Sequence, residues 1–148
     1  VGSEMCIRDR LIPVVAFCVA GILAFSMGTS WGTFGILIPI IAVVCENTAP
    51  ELTIISLSAV LAGSVFGDHC SPISDTTILS STGARCNHIS HVSTQIPYTL
   101  VVAISCLVGY IVAGITANLL LTWVFALSTL LIILFILYLK TEKELNKK

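Results

Sequence analysis

Charged side chains are scarce in this sequence. Aspartate, glutamate, lysine and arginine make up 10% of the residues against 56% hydrophobic residues, and none of the four occurs in residues 11–45, 52–67 or 86–139. A soluble domain carries about 25% charged residues, and about 20 consecutive apolar residues can span a bilayer as a helix. These absences exclude a soluble fold and predict an all-α integral membrane protein surrounded by the lipid bilayer.

Clustered positive charge and paired cysteines are also missing. The net charge is −1, and lysine and arginine are confined to the two chain ends and Arg85, whereas a nucleic-acid surface needs a basic patch. None of the six cysteines forms a Cys-X-X-Cys pair, the spacing typical of zinc and redox sites. The spacing of Cys86, His88 and His91 is only a weak metal signal. We therefore expect no nucleic-acid partner and no cofactor.

The two chain ends differ from the apolar body. Residues 1–10, VGSEMCIRDR, match nothing around them and resemble a translated sequencing adaptor, so we expect a non-native artefact there and a fragment that lacks its natural start. Residues 140–148 carry four lysines, and the positive-inside rule puts such a tail in the cytoplasm. The sequence thus predicts a multi-pass domain of the cytoplasmic membrane over residues 11–139, with a cytoplasmic C-terminus.

Two polar stretches interrupt the apolar runs, and the first is GTSWGTFG at residues 28–35. Gly28 and Gly32 are poor helix formers, and the hydroxyl side chains beside them are Thr29, Ser30 and Thr33. A single helix over residues 11–45 would be about 52 Å long against a hydrocarbon core of about 30 Å. We therefore predict a re-entrant hairpin with its tip in this stretch; the alternative is one crossing that breaks midway.

The second stretch, GDHCSPISDTT at residues 67–77, contains two aspartates, Asp68 and Asp75. Pro72 has no amide hydrogen and Gly67 tolerates unusual backbone angles, so both are predicted to break the helix. A carboxylate inside a bilayer costs about 2.5 to 3.5 kcal/mol, so we expect both aspartates to face protein or a water-filled cavity. The prediction is a discontinuous helix that carries functional carboxylates.

Together the two stretches supply the oxygen ligands that a small alkali cation prefers. Carboxylates, hydroxyls and the carbonyls of an unwound segment replace the hydration shell of such an ion. A desolvated carboxyl group holds a proton, whereas a bound cation favours its ionised form, so one site can exchange the two. The predicted ion-binding residues are Asp68, Asp75, Ser71, Ser74, Thr76, Thr77, Thr29, Ser30 and Thr33, with Asp68 and Asp75 as the Na+ ligands. His69, next to Asp68, is a candidate proton relay.

Purely structural roles stay open for the same residues. Asp75 and Asp68 can cap half-helix N-termini, and the GTSWG stretch can be a packing kink between helices. Arg85, His88 and His91 fall in the segment RCNHISH. We predict that this segment is a loop at the membrane interface, where its charges reach water or polar headgroups.

Three longer strings carry a family resemblance: GTSWGTFGILIPI, GSVFGDHCSPISDTTILSSTGA and CNHISHVSTQIPYTL. Over residues 28–100 the chain resembles the C-terminal half of NhaC-type Na+/H+ antiporters. The resemblance implies a secondary transporter of the ion transporter superfamily, with inverted repeats that each hold a re-entrant hairpin and a discontinuous helix. This chain is similar to the second repeat, and the first repeat is its missing partner. By that similarity the tip holds Thr29, Ser30 and Thr33, and the broken helix holds Asp68, Ser71, Pro72, Ser74, Asp75 and Thr76.

The expected function is sodium/proton antiport across the cytoplasmic membrane, by a transporter and not by an enzyme. One alternative is a sodium- or proton-coupled exchanger of carboxylates such as malate or lactate, since half-helix N-termini attract anions; the absence of arginine near the breaks disfavours it. A non-catalytic membrane assembly subunit is the alternative of another class. A second copy in a homo-oligomer is a further expected partner. Because a site between two repeats cannot close with one of them, we expect the fragment alone to be inert.

Overall fold

The structure, a computed structural model, describes residues 9–145, with side chains up to residue 143. The rest of the predicted artefact and of the predicted tail, residues 1–8 and 146–148, lies outside the described residues. No strand occurs in the described part of the chain, and the all-α prediction is confirmed for it. The elements are α1 (Ile12–Met27), α2 (Ser30–Thr48), a 3-10 turn (Pro50–Leu52), α3 (Thr53–Cys70), α4 (Asp75–Gly83), α5 (His88–Thr116) and α6 (Leu119–Leu145).

Four of these helices are long and apolar enough to cross a membrane: α2, α3 with its preceding turn, α5 and α6. Helix α1 has 16 residues, or about 24 Å at 1.5 Å per residue, which is shorter than a bilayer core. These lengths support a multi-pass membrane protein. Helix α6 continues to Leu145, so the predicted tail begins as a helix rather than as a separate segment.

Helices α1 and α2 fold back on each other. Ile12 at the start of α1 lines the same cavity as Val44 toward the end of α2, so the two helices lie side by side and antiparallel. The turn between them consists of Gly28, with a φ of 67°, and the extended Thr29. Glycine adopts a positive φ without the steric cost that a side chain would bring. The chain therefore reverses direction at this point.

This turn is shorter than the sequence predicted. Ser30, Trp31, Gly32 and Thr33 belong to the first turn of α2, so the prediction that Gly32 breaks the helix was wrong. The reason is local capping. The Oγ1 atom of Thr29 accepts a hydrogen bond from the Gly32 amide at 3.5 Å, and a capped first turn is stable enough to contain a glycine.

Helix α3 packs on α1 with the two backbones in contact. A Cβ atom on Gly67 would lie 2.2 Å from the Gly21 carbonyl oxygen, and one on Gly63 would lie 2.3 Å from the Phe17 carbonyl oxygen. Such Gly-X-X-X-Gly spacing allows close helix contact in membranes. Gly67 therefore lies inside α3 and contributes to packing, and the prediction that it breaks the helix was wrong.

Helix α5 runs antiparallel to α3 and joins the same core. The Ser58 hydroxyl lies 3.5 Å from the Tyr110 hydroxyl, and the Cys70 sulfur lies 3.0 Å from Thr99 Oγ1. The Phe17 ring of α1 lies 5.7 Å from the Tyr110 ring, centroid to centroid. Helix α6 contacts α5, and none of its residues 119–143 is buried. The core thus consists of α1, α3 and α5, with α2 alongside and α6 at the outside.

Candidate functional site

The helix break predicted around Pro72 is present at residues 71–74. Helix α3 ends at Cys70, and Ser71 has an extended backbone with φ −77° and ψ 126°. Proline disfavours helical geometry in the residue before it, which explains why the helix stops there. Ser74 is also extended and precedes α4, which begins at Asp75. A four-residue connection without helical geometry therefore separates the two helices.

Asp68 is the buried carboxylate beside this break. Only 4% of its surface is exposed. The Ser74 hydroxyl donates to its Oδ1 at 2.9 Å, and the Thr76 hydroxyl donates to its Oδ2 at 3.1 Å. Both donors belong to the start of α4, whose N-terminal end carries a partial positive charge that favours a nearby anion. The break thus folds the first residues of α4 onto a carboxylate in the last turn of α3.

Three oxygen contacts close a ring in this cluster, because Ser74 Oγ also lies 2.7 Å from Thr76 Oγ1. Each contact needs one hydrogen to be a hydrogen bond, and the two hydroxyl groups supply two. When Asp68 is ionised, one of the three contacts therefore lacks a hydrogen. If Asp68 carries a proton, the carboxyl group can donate in one of its two contacts, and the hydroxyl hydrogen released there can serve the contact between Ser74 and Thr76. The ring brings one carboxylate and two hydroxyl groups together, and such oxygen ligands suit a hard cation.

The turn of the α1–α2 hairpin touches the break in α3. A Cβ atom on Gly28 would lie 2.8 Å from the Ile73 carbonyl oxygen, so only glycine fits this contact. The Ser71 hydroxyl donates to the Phe25 carbonyl oxygen at 2.8 Å. The two interruptions found in the sequence therefore meet in space through their backbones.

The hydroxyl groups of the turn are engaged locally. Thr29 caps α2, and the Thr33 hydroxyl donates to the Thr29 carbonyl oxygen at 2.8 Å. Thr33 is buried, and Ser30 is half-buried. Among the described residues no hydrogen bond joins these three side chains to Asp68, so their role as ion ligands stays a prediction.

The Ser71 bond supports a test of how the two interruptions are held together. The Phe25 carbonyl is one of the last four of α1, which have no helical partner, and Ser71 is fully buried. We expect Ser71→Ala to destabilise the protein by about 0.5 to 1.5 kcal/mol, because it removes the hydrogen bond between the two interruptions. Thermal unfolding of the full-length protein in detergent measures this. Ser26→Ala is the control, since the exposed Ser26 bonds within its own helix; an equal loss in both variants would contradict the prediction.

Three other predicted residues lie outside the ring. Asp75 is exposed, and its Oδ1 accepts the adjacent Thr76 amide at 2.8 Å, which pairs one of the free amides in the first turn of α4. His69 is exposed and lies 3.5 Å from Gln95, with no hydrogen bond to Asp68 among the described residues. Thr77 is 2% exposed, and its Oγ1 has no partner in the described part of the chain.

His88 is a residue of this region that sequence reasoning missed. The whole segment RCNHISH was predicted to be a loop, but the loop ends at Asn87, and His88 and His91 belong to the first turn of α5. The His88 Nε2 atom lies 2.7 Å from the Pro72 carbonyl oxygen. Asn87, a favoured N-cap residue, accepts the Ser90 amide at 3.2 Å. Asn87 is the sequence signal that could have predicted a helix beginning at His88.

The histidines have partners other than a metal. His91 Nε2 lies 3.1 Å from the Ser80 hydroxyl, and His88 Nδ1 lies 3.1 Å from the Ser81 hydroxyl. Within the described residues no three side chains of histidine, cysteine, aspartate or glutamate are grouped to hold a metal ion. An alkali cation would instead use oxygens of the Asp68 ring, which are carboxylate and hydroxyl ligands.

Comparisons with known proteins agree on a family. The model of the Na+/H+ antiporter family matches residues 3–115. An uncharacterized protein of Haemophilus influenzae is 55% identical over 126 residues, which is 85% of this chain and 24% of that protein. The malate-2H(+)/Na(+)-lactate antiporter of Bacillus subtilis is 26% identical over 113 residues, 73% of this chain and 24% of that protein. The arginine/ornithine antiporter ArcD of Halobacterium salinarum is 33% identical over 115 residues, 74% of this chain and 23% of that protein.

The chain spans about a quarter of the length of these curated relatives. No solved structure matches it significantly. The family match includes both interruptions and α5 up to residue 115, and so contains every region that forms the candidate site. The chain therefore belongs to the Na+/H+ antiporter family, a family of membrane transporters, and the resemblance to its NhaC-type members is confirmed.

Proposed function

We propose that this chain supplies part of the ion pathway of a secondary transporter that exchanges Na+ for H+ across the cytoplasmic membrane, with Asp68 as the residue that binds both. The observation that carries the proposal is the burial of Asp68 with two hydroxyl donors as its partners. No lysine or arginine occurs in residues 11–84, so this part of the chain offers the carboxylate no permanent counter-charge.

The energetics of a buried carboxylate support exchange. An isolated charge in a low-dielectric interior is so costly that the group takes up a proton or a counter-ion. With a proton, the three contacts among Asp68, Ser74 and Thr76 can all be hydrogen bonds. Without it, the same oxygens attract a small cation that needs oxygen ligands. Proton and cation therefore compete for one site, which is the requirement for antiport.

The remaining predicted ligands keep a proposed role around this centre. Unwound carbonyls at a helix break coordinate ions in transporters, and the hairpin turn lies against the break through Gly28 and Ile73. We propose that the ion moves between the ring and the surrounding oxygens, with Asp75 at the exposed side. The proposed surrounding ligands are Asp75, Ser71, Thr29, Ser30 and Thr33.

The membrane arrangement that fits this site is a re-entrant hairpin opposite a discontinuous helix. Helix α1 is about 24 Å long, short for a crossing, and the hairpin turn contacts a break within another helix rather than a surface loop. The rest of the protein would supply the inverted repeat, and the four C-terminal lysines favour a cytoplasmic end.

The orientation of the C-terminus can be tested with the Lys143→Cys variant in whole cells. A membrane-impermeant thiol reagent should label this cysteine only after the cells are permeabilised. Labelling from outside would contradict this orientation.

Two relatives favour an organic substrate as the second candidate. The names of the Bacillus and Halobacterium proteins specify malate and lactate, and arginine and ornithine. A carboxylate substrate is disfavoured here because residues 11–84 contain no lysine or arginine to bind it. A cationic amino acid fits a buried carboxylate better. A non-catalytic assembly subunit is the candidate of another class, and it predicts no flux of any substrate.

Reconstitution of the full-length protein in liposomes tests the function. With a pH gradient imposed, we expect radiolabelled Na+ to exchange for protons when Na+ is the only solute added, because Na+ and H+ share the Asp68 site. Liposomes without protein, and liposomes loaded with K+ instead of Na+, are the controls. Exchange that requires malate, lactate, arginine or ornithine would replace the proposal by an organic-ion exchanger. Absence of exchange with every solute would favour the assembly subunit.

A further inference from the structure

The first residue of α5 bridges the helix break and α4. The His88 Nε2 atom lies 2.7 Å from the Pro72 carbonyl oxygen, and its Nδ1 atom lies 3.1 Å from the Ser81 hydroxyl. We propose that His88 is a positioning residue: it holds the unwound backbone at Pro72 in the geometry that brings Ser74 and Thr76 to Asp68. Its effect on transport rests on the proposed function, whereas its effect on the break does not.

The partners of His88 determine which nitrogen carries the hydrogen. A carbonyl oxygen only accepts, so the contact with Pro72 requires a hydrogen on Nε2. In the neutral ring Nδ1 is then an acceptor, and the Ser81 hydroxyl beside it also lies 2.9 Å from the Ile78 carbonyl oxygen, so its one hydrogen serves either acceptor. Ser81 is 2% exposed, which fixes this hydroxyl in place. The imidazole is therefore held on two sides, and its Nε2–H is directed at the break.

The break needs such a contact because the hydrogen bonds that its four residues make with one another are few and long. Within residues 71–74 the Ser74 amide lies 3.4 Å from the Ser71 carbonyl oxygen, and the Ile73 amide lies 3.4 Å from the Ser71 hydroxyl. The α1 side holds the segment through Ser71 and Ile73. From α5, the His88 side chain donates a hydrogen bond to the Pro72 carbonyl oxygen.

The position of Ser74 follows from that of Pro72, two residues before it. Ser74 donates to Asp68 at 2.9 Å, so a shift of the backbone by a fraction of an ångström weakens the ring. Without the His88 bond, the Pro72 carbonyl is free to turn away from α5. We therefore expect the break to open more often and the ring to bind a cation less tightly.

Two conservative variants separate the two bonds of His88. In His88→Gln the terminal amide lies near the position of Nε2 and still donates to Pro72. In His88→Asn the shorter amide lies near Nδ1, keeps the Ser81 contact and does not reach Pro72. His91→Asn is the matched control, because His91 lies three residues later in α5 and bonds to Ser80 in α4, and no hydrogen bond joins it to residues 71–74 in the described part of the chain.

The first measurement is hydrogen–deuterium exchange of residues 71–77 in the full-length protein in lipid nanodiscs, which does not depend on the substrate. Loss of one hydrogen bond corresponds to about a 3- to 10-fold change in an equilibrium constant. We expect deuterium exchange in His88→Asn to be faster by about this factor, and deuterium exchange in His88→Gln and His91→Asn to match that of the parent protein.

The second measurement is Na+-driven proton transport in liposomes. There we expect a similar increase in the half-saturating Na+ concentration for His88→Asn, an unchanged maximal rate per transporter, and recovery in His88→Gln.

The outcomes separate the two proposals. If proton transport by the parent protein does not depend on Na+, the proposed function fails. The deuterium measurement still tests the role of His88 in that case. The positioning role is overturned if His88→Asn leaves deuterium exchange unchanged. It is also overturned if His88→Gln and His88→Asn accelerate deuterium exchange equally. The packing of the imidazole ring, rather than its bond to Pro72, would then hold the break in place.

Discussion

Asp68→Asn is expected to remove cation exchange from the full-length protein. The substitution keeps the shape of a side chain that is 4% exposed, but it removes the negative charge that we propose binds the cation. Removing one partner of a buried charge pair costs about 2 to 5 kcal/mol, or about 30-fold to several thousand-fold in affinity. We therefore expect the half-saturating Na+ concentration to rise at least about 30-fold, measured as Na+-driven proton movement in liposomes.

Asp75→Asn is the matched control for this prediction. Asp75 is the same residue type, seven positions later, but it is exposed and bonds to its neighbouring amide. We expect its effect on affinity to stay within about threefold, since an exposed charge contributes little. Parental Na+ dependence in Asp68→Asn would sink the assignment of Asp68 as the ion-binding residue. An equal loss in both variants would mean that the ion binds between the two carboxylates.

Gly67→Ala is expected to destabilise the packing of α1 on α3 strongly, although it adds only one methyl group. The added Cβ would lie 2.2 Å from the Gly21 carbonyl oxygen and 2.8 Å from the Phe25 amide nitrogen. Both are backbone atoms, so α1 and α3 have to separate. Overpacking of this kind costs about 1 to 3 kcal/mol or more. The separation would also weaken the nearby Ser71 bond to Phe25. We expect a lower unfolding temperature and a smaller monodisperse fraction on size-exclusion chromatography.

Gly35→Ala is the same substitution at a position with space. Nothing lies within 4 Å of a Cβ atom on Gly35, which is inside α2. Alanine is a better helix former than glycine by about 1 kcal/mol, so we expect an unchanged or slightly higher unfolding temperature. If Gly67→Ala were as stable as Gly35→Ala, the close contact between α1 and α3 would be refuted.

The two sequence interruptions were predicted for different reasons, and the structure distinguishes them. Pro72 breaks α3 where the sequence predicted, because a missing amide and a restricted preceding residue act locally. Gly32 and Gly67 were assigned to breaks on propensity alone, and both are helical. Capping by Thr29 explains Gly32, and contact with α1 explains Gly67. The Gly-X-X-X-Gly spacing was present in the sequence and was the better guide to Gly67.

The cluster around Asp68 was predicted only in part. Burial of a carboxylate near hydroxyl groups followed from the cost of charge in a membrane, and Ser74 and Thr76 are within hydrogen-bond distance of it. The same reasoning grouped Asp75 with Asp68, although Asp75 is exposed. Residue types alone do not determine which of two nearby aspartates turns inward, because this depends on the angle at which α4 leaves the break.

The order of the amino acids was enough to predict that this chain is helical, lies in a membrane and contains polar interruptions in two of its apolar runs. Those features follow from composition, apolar length and proline chemistry, which act within one segment. The packing of the helices was needed to show that the two interruptions touch, that Asp68 lies in a ring with Ser74 and Thr76, and that His88 reaches Pro72. These contacts join residues from different helices, and their distances depend on how closely glycine allows α1 and α3 to approach.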